Sequence, residues 1–266
     1  MHSYDLAAYA ERIGYSGRLE PTLETLRGLA KHHVAAIPFE NVSVLLGQPV
    51  ELTPEALEKK LVHDRRGGYC FEQNGLMLGI LGQIGFEVRP LAGRVRIEMP
   101  RDFTPARTHL FLVVTLDQEE WIFDGGVGGM SLTSPIRYRL GDEQETLHES
   151  RRIVHEEGRN FHQAWMGDRW QDVYEFTGEK MPLIDREVGN WWTSTHPASK
   201  FATNLFAARS EEHGIRLNLL NDRLTRRRGA DVLEQQTLTT PEEVGAVLRT
   251  RFGIDVPDDP RLFRRG

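Results

Sequence analysis

A single cysteine, Cys70, is the residue of this chain best suited to act as a nucleophile. It lies in the run RRGGYCFEQN, after two glycines and a tyrosine and before an apolar, helix-like stretch. A glycine turn that opens into a helix places Cys70 near the helix N-terminus, where unpaired backbone N–H groups favour a thiolate. Alternatively, Cys70 is an unreactive buried side chain, which is common for a free cysteine. A base and an orienting group near the thiol would favour the nucleophile over the unreactive side chain.

A nucleophilic cysteine needs a base, and the base needs a group that orients it. Among ten histidines, His109 differs because it begins the most apolar strand, THLFLVV, where a polar side chain requires a partner or a cleft. The chain from His109 to Asp124 is predicted to form a hairpin. A two-residue turn at 117–118 pairs Phe111 with Asp124. Asp124 then lies diagonal to His109 on the same face of the hairpin, with about 7–8 Å between the two backbones. An odd-numbered loop would place the two side chains on opposite faces. Alternatively, His109 is a satisfied core residue and Asp124 a turn former.

Together, Cys70, His109 and Asp124 are predicted to be nucleophile, base and orienting carboxylate. Transfer of the thiol proton to His109 would give a thiolate–imidazolium pair, with Asp124 holding the tautomer and stabilising the cation. A tetrahedral oxyanion formed on the cysteine would need backbone donors, and the N–H of Cys70 is the candidate.

The periodicity of the chain divides it into three regions, predicted at residues 1–86, 87–190 and 191–266. The first has apolar residues at helical spacing, with Thr22 and Thr53 as caps, and the helix after Cys70 completes a small bundle. In the second region apolar and polar residues alternate with period two, in several short segments, which is typical of a barrel or sandwich. The third region combines predicted strands with a helix capped by Thr240. His162 is assigned to a polar or mixed face of an outer strand. Strands of the second region are predicted at 88–98, 109–116, 121–124, 136–140, 152–156, 161–166 and 170–177.

Composition limits the class of protein. The chain has 266 residues, 39% hydrophobic and 27% charged, as in ordinary globular proteins. A formal net charge of −6 argues against a nucleic-acid partner, and the run Arg226–Arg228 is expected to be a solvated face rather than a phosphate site. One cysteine excludes a disulfide framework and a multi-cysteine metal site, and fits a reducing compartment. With no signal peptide visible and no apolar run long enough for a membrane, a cytoplasmic protein is expected.

Four segments together resemble the motifs of the arylamine N-acetyltransferases, in the same order. They are IPFENVSVLLG (37–47), RRGGYCFEQN, RTHLFLVV and FDGGVGG, and the similarity is dense from about residue 4 to 136. The resemblance implies a mixed α and β (α+β) fold: a helical bundle, a central β-barrel and a C-terminal α/β lid. It also implies a papain-like triad at Cys70, His109 and Asp124.

The same resemblance implies an activity. Acetyl-CoA would be a co-substrate rather than a bound cofactor, and the acceptor would be an arylamine or arylhydrazine, with O-acetylation of N-hydroxyarylamines a further possibility. The reaction would be ping-pong, through an acetyl-cysteine at Cys70. No metal site and no membrane partner are implied, and the oligomeric state is left open.

Polar residues in apolar-flanked motifs suggest support of the site rather than direct catalysis, and other site residues are carried over from the family, of which Phe39, Val95 and Val127 could equally be core. A structural ion pair between Glu40 and Arg66, near Asn41, is expected to hold the cysteine loop, since buried charges are normally paired. Val127 replaces a usual phenylalanine and Gly125 a commoner valine or alanine, so weaker stacking on flat amines is expected. The positions matched to CoA contacts are Thr108, Gly128 and Gly129, and those matched to the acceptor pocket are Phe39, Val95 and Val127.

Two other functional classes fit the same residues. The order Cys, His, Asp also suits a cysteine hydrolase or a transglutaminase-like enzyme, and a non-catalytic binding module with an inert Cys70 is the third alternative. Acetylation of the intact protein by acetyl-CoA separates the transferase from the hydrolase. Rapid alkylation of Cys70 at mildly acidic pH would exclude the inert thiol, because an unactivated thiol is protonated there.

Overall fold

Helices occupy the first third of the chain in the computed structural model, which describes residues 2–265. The predicted signals are present: Gly14 ends the first helix in a left-handed conformation, the hydroxyl of Thr22 accepts from the N–H of Thr25, and Thr53 caps a helix that begins at Pro54. The helices are α1 (Leu6–Ile13), α2 (Leu23–Ala36), α3 (Val42–Leu45), α4 (Pro54–Glu58, followed by a π-helical turn, Lys59–His63) and α5 (Cys70–Ile84).

A seven-stranded antiparallel sheet follows and curls into a nearly closed barrel. Its order is β5-β4-β3-β2-β8-β7-β6, and Leu140, beyond β5, forms a bridge with Ile153 in β6 across the remaining gap. The barrel interior holds aromatic and branched side chains from alternating positions, including Phe111, Ile122 and Val173. The strands are β2 (Glu87–Val95), β3 (His109–Leu116), β4 (Glu119–Phe123), β5 (Ile136–Arg137), β6 (Arg151–Glu156), β7 (Arg159–Trp165) and β8 (Trp170–Phe176).

The hairpin of β3 and β4 has the predicted register. Leu116 lies opposite Glu119, so the turn is the two residues Asp117 and Gln118. Both have positive φ, 51° and 63°, as the favoured hairpin turns with two left-handed residues require. The prediction of this turn is confirmed although Asp-Gln is not a preferred pair. Asp124 therefore follows β4 on the same face as His109.

The C-terminal part combines helices with a second antiparallel sheet, of order β1-β9-β10-β11-β12. Its first strand, β1 (Phe39–Glu40), comes from the helical region and pairs with β9, which joins that region to the C-terminal sheet. The edge strand β12 was not predicted, because its residues are largely exposed and lack apolar alternation. The remaining elements are α6 (Leu183–Thr195, which crosses residue 190), α7 (Lys200–Thr203), β9 (Phe206–Ser210), β10 (Ile215–Leu220), β11 (Arg223–Arg228), β12 (Asp231–Thr237) and α8 (Pro241–Val247, followed by a π-helical turn, Leu248–Phe252).

The mixed α and β class is thus confirmed, with a helical bundle, a barrel and a C-terminal α/β region. One local expectation is wrong, because His162 is fully buried inside the barrel. The expectation for the arginine run holds in part: Arg228 is exposed, but the side chain of Arg227 is only 17% exposed and its guanidinium lies 3.8 Å from Glu149. Within residues 2–265, every helix is too short or too polar to traverse a bilayer.

Candidate active site

Cys70 is the first residue of α5, as predicted from the glycine turn. The preceding residue, Tyr69, donates its backbone N–H to Glu72 Oε2 at 3.1 Å, and this contact fixes the start of the helix. Cys70 is only 5% exposed, and its Sγ lies 3.5 Å from the carbonyl oxygen of Thr108, which it faces as a donor. The residue before β3 and the residue that begins α5 are thereby in contact.

The imidazole of His109 lies between the thiol and a carboxylate. Its Nε2 is 2.8 Å from Asp124 Oδ2, and both side chains are almost fully buried. Burial by itself lowers the pKa of His109, but the charge and hydrogen bond of Asp124, with a smaller contribution from Cys70, raise it to about 10. Since Asp124 occupies Nε2, the other ring nitrogen, Nδ1, is the one available to the thiol.

Asn74 is a site residue that the sequence analysis missed. Its Nδ2 donates to Asp124 Oδ1 at 2.9 Å and to the Leu110 carbonyl at 2.6 Å, while its Oδ1 accepts from the N–H of Gly125 at 3.0 Å. It lies one helical turn after Cys70, on the same side of α5, and so connects the cysteine helix to the carboxylate. A fully buried amide in an apolar helix needs such partners, and this was the available signal.

Charged side chains hold the loop that precedes Cys70. Arg66 donates to Glu40 Oε1 at 2.8 Å, which is the ion pair expected from the sequence, and the N–H of Val42 donates to Glu40 Oε2 at 2.6 Å. Burial raises the pKa of Glu40, but Lys60 and Arg66 outweigh it and hold the pKa below its ordinary value. Glu40 is therefore charged and connects the cysteine loop, through Arg66, to the start of α3.

Two buried side-chain amides also hold the segments around the cysteine loop. Asn41 donates to the carbonyls of Phe201 and Asn204, each at 2.7 Å, and thereby attaches β1 to the C-terminal region. Gln73 donates to the carbonyls of Pro38 and Gly68, at 2.8 and 3.2 Å, which ties α5 to the cysteine loop. Only the first amide was singled out from the sequence.

The glycine-rich loop after Asp124 packs directly against the start of α5. A Cβ on Gly126 would lie 2.7 Å from Cys70 Cα, so this position requires glycine. A Cβ on Gly128, which has φ of +66°, would meet the ring of Phe39 at 3.4 Å, and one on Gly129 would meet the Asn218 amide at 2.1 Å. The loop is thus in close contact with three elements.

The predicted acceptor-pocket residues separate into two places. Phe39 belongs to the apolar cluster that contains Cys70, Tyr69 and Phe71. Val127 is 6% exposed and packs into the barrel cluster, which Val95 also contacts. Only Phe39 therefore shares the apolar surroundings of the thiol.

A buried polar group also lies on the barrel side of the imidazole. The ring centroid of Tyr174 is 4.9 Å from that of His109 and 4.7 Å from that of His162. Burial and the charge of Asp124 raise the pKa of Tyr174, so the phenol stays protonated. Beyond His162, the carboxylate of Glu149 accepts from buried arginines of β6 and β10. These groups surround the triad side chains with protein rather than solvent.

In sum, the structure brings Cys70, His109 and Asp124 together at the junction of α5, β3 and the end of β4. A thiol beside an imidazole whose far nitrogen is held by a carboxylate can generate a thiolate and return the proton to a leaving group. Among the described residues, no cluster of three or more His, Cys, Asp or Glu side chains has an arrangement that could hold a metal ion.

Comparisons with known proteins point to one family. A sequence model described as N-acetyltransferase matches residues 22–261. The arylamine N-acetyltransferase of Mycobacterium tuberculosis is 43% identical over 96% of this chain and 90% of its own length. The arylamine N-acetyltransferase / N-hydroxyarylamine O-acetyltransferase of Salmonella typhimurium is 37% identical over 97% of this chain and 90% of its own length. The structure of the Mycobacterium marinum arylamine N-acetyltransferase in complex with CoA superposes with a TM-score of 0.91, at 42% identity and 97% coverage of both chains.

Proposed function

This chain belongs to the arylamine N-acetyltransferase family, whose members are acyltransferases, and from that premise we propose that it transfers acetyl from acetyl-CoA to an aromatic amine or hydrazine through an acetyl-Cys70 thioester. The observation that carries the proposal is the contact between His109 Nε2 and Asp124 Oδ2, 2.8 Å, beside the Cys70 thiol. Bound CoA in the M. marinum relative supports the donor.

In the first half-reaction, the Cys70 thiolate attacks the thioester carbonyl of acetyl-CoA. The tetrahedral oxyanion is placed beside the N-terminus of α5, where the backbone N–H of Cys70 is the proposed donor. Collapse breaks the bond to the CoA sulfur, and the His109 imidazolium gives its proton to that leaving group. Acetyl-Cys70 and a neutral His109 remain.

In the second half-reaction, the acceptor nitrogen attacks the acetyl-cysteine. An arylamine is neutral at pH 7, so its lone pair is free, and neutral His109 removes the proton that the nitrogen releases. Expulsion of the Cys70 thiolate restores the thiolate–imidazolium pair. Asp124, held by Asn74, keeps the imidazole aligned through both steps. Thr108, Gly128 and Gly129 are proposed CoA contacts, and Phe39 a wall of the acceptor pocket.

The name of the S. typhimurium relative makes O-acetylation of N-hydroxyarylamines a further proposed activity. The same site could pass the acetyl group to water, as in a cysteine hydrolase, and the acceptor dependence of deacetylation separates the two. We also propose that the enzyme works in the cytoplasm, since a thiol nucleophile must stay reduced.

Intact-protein mass spectrometry tests the proposal directly. Acetyl-CoA should add one acetyl group to the wild type and none to Cys70→Ser, and an aromatic amine should discharge the acetyl-enzyme far faster than buffer. His109→Gln should abolish acetylation, whereas the matched His155→Gln, at an exposed histidine that is hydrogen-bonded to Asn160, should retain it. Acetylation of Cys70→Ser, or discharge independent of the amine, would refute the transferase mechanism.

A further inference from the structure

A cavity of about 770 Å³ lies on the opposite side of α5 from His109. Its walls are α5, α6, the segment from residue 50 to 57, and the N-terminal residues His2 and Tyr4. Neither Cys70, His109 nor Asp124 lines it. The volume is within the range of small-molecule sites, about 300–1,000 Å³. It is therefore a space separate from the proposed acetyl-transfer site.

The lining of this cavity combines apolar walls with several polar side chains. Leucine and valine side chains from the 50–57 segment and from α5 form the apolar walls, among them Val50, Leu52 and Leu78. The polar side chains on the α6 wall are Arg186, Glu187 and Asn190. Asn190 is engaged, because its Nδ2 donates to the Val50 carbonyl at 2.8 Å and its Oδ1 accepts from the Tyr69 hydroxyl.

Arg186, unlike Asn190, has no hydrogen-bond partner for its side chain among the described residues. No hydrogen bond and no ion pair within 4.0 Å connects its guanidinium to any residue between 2 and 265, and its Nε is shielded from solvent without a partner. Glu187 is exposed and outside ion-pair distance, and His2, the other cationic candidate of the cavity, is already paired with Glu58 at 2.7 Å. Burial lowers the pKa of Arg186, and the charges of Glu187 and Tyr4 oppose that shift only in part.

An arginine fork without a partner, at the edge of an apolar space, matches a ligand with a planar anion and an apolar body. We propose that this cavity binds a small organic carboxylate with an aryl or alkyl body, the carboxylate paired with Arg186 and the body packed on Val50, Leu52 and Leu78. The bound anion would satisfy Arg186, and the apolar walls would lose their contact with water. The site is independent of the acetyl-transfer reaction.

The probes are 4-phenylbutanoate and its neutral isostere 4-phenylbutanamide, titrated calorimetrically into the full chain. Because a charged hydrogen bond is removed, Arg186→Met should weaken binding of the carboxylate about tenfold or more and leave the amide unchanged. Arg186→Lys, which keeps the charge, should retain part of the affinity. The matched control is Arg223→Met, an exposed arginine of β11 remote from the cavity, which should bind the carboxylate as the wild type does.

A second arm locates the bound probe. Alkylation of Cys70 with iodoacetamide should leave the affinity for 4-phenylbutanoate unchanged, since the cavity does not include the thiol. The proposal is overturned by an absence of saturable binding at millimolar probe, by equal binding of carboxylate and amide to the wild type, or by equal affinity of Arg186→Met and the wild type. Loss of binding on alkylation would assign the probe to the acetyl-transfer site and refute it as well.

Discussion

Replacement of Asp124 by asparagine is expected to leave the shape of the site intact and to prevent His109 from acting as the base for Cys70. Asp124 Oδ1 accepts from Asn74 Nδ2 and from the N–H of Gly126, both at 2.9 Å, while Oδ2 faces His109. An asparagine must keep its carbonyl oxygen toward those two donors and turn its NH₂ group toward His109. The imidazole then accepts at Nε2 and carries its proton on Nδ1, where the thiol of Cys70 requires a base.

The magnitude follows from the groups that set the His109 pKa. Burial lowers that pKa, and Asp124 is the main group that raises it to about 10, so the neutral amide leaves burial opposed only by the smaller contribution of Cys70. No imidazolium then forms at neutral pH, and an unassisted thiol is only a few per cent ionised at pH 7. The rate of alkylation of Cys70 should therefore fall about 30-fold at pH 7, and by about a further tenfold for each pH unit below 7. The same amide substitution in a serine triad lowers turnover about 10⁴-fold, and acetylation should fall comparably.

The assay is the rate of iodoacetamide alkylation, followed by intact-protein mass spectrometry from about pH 5 to about pH 9. The wild type should show a plateau that extends to the acidic limit, and Asp124→Asn a rate that rises with pH throughout. Matching thermal unfolding of the two proteins would confirm that the fold is unchanged. If the variant kept the wild-type plateau, the assignment of Asp124 as the group that sustains the ion pair would be wrong.

Four further outcomes are expected. Because the folded-state pKa of His109 is raised to about 10, its contribution to stability is full below about pH 6.5 and is lost as pH rises through about 10; denaturant titrations should show this loss in the wild type and not in His109→Gln. Asn74→Ala removes one charged and two neutral buried hydrogen bonds and should lower the free energy of unfolding by about 4 kcal/mol in the same titrations. Gly126→Ala forces a Cβ to within 2.7 Å of Cys70 Cα, so single-turnover acetylation should fall about 100-fold; wild-type rates would contradict this packing argument. Val127→Phe overfills the barrel core and should destabilise the protein by about 1–3 kcal/mol, whereas a change in amine selectivity at full stability would return this side chain to the acceptor pocket.

The amino-acid sequence alone determined the local parts of the site. The glycines before Cys70 and the apolar run after it predicted a helix that begins at the cysteine, and the structure has that helix. The hairpin from His109 to Asp124 was determined by strand alternation and by the length of its turn, since only an even loop keeps both residues on one face. Such features depend on neighbours a few residues apart, whose preferred geometry follows from residue type.

Only the tertiary structure decided which local parts meet. Periodicity identifies the buried face of an element and is silent about what covers that face. Cys70 and Thr108 touch across 38 residues of chain, Asn74 reaches Asp124 across 50, and β1 pairs with β9 from the C-terminal part of the chain. The packing of Val127 into the barrel core was decided in the same way, by how the loop packs between α5, Phe39 and Asn218.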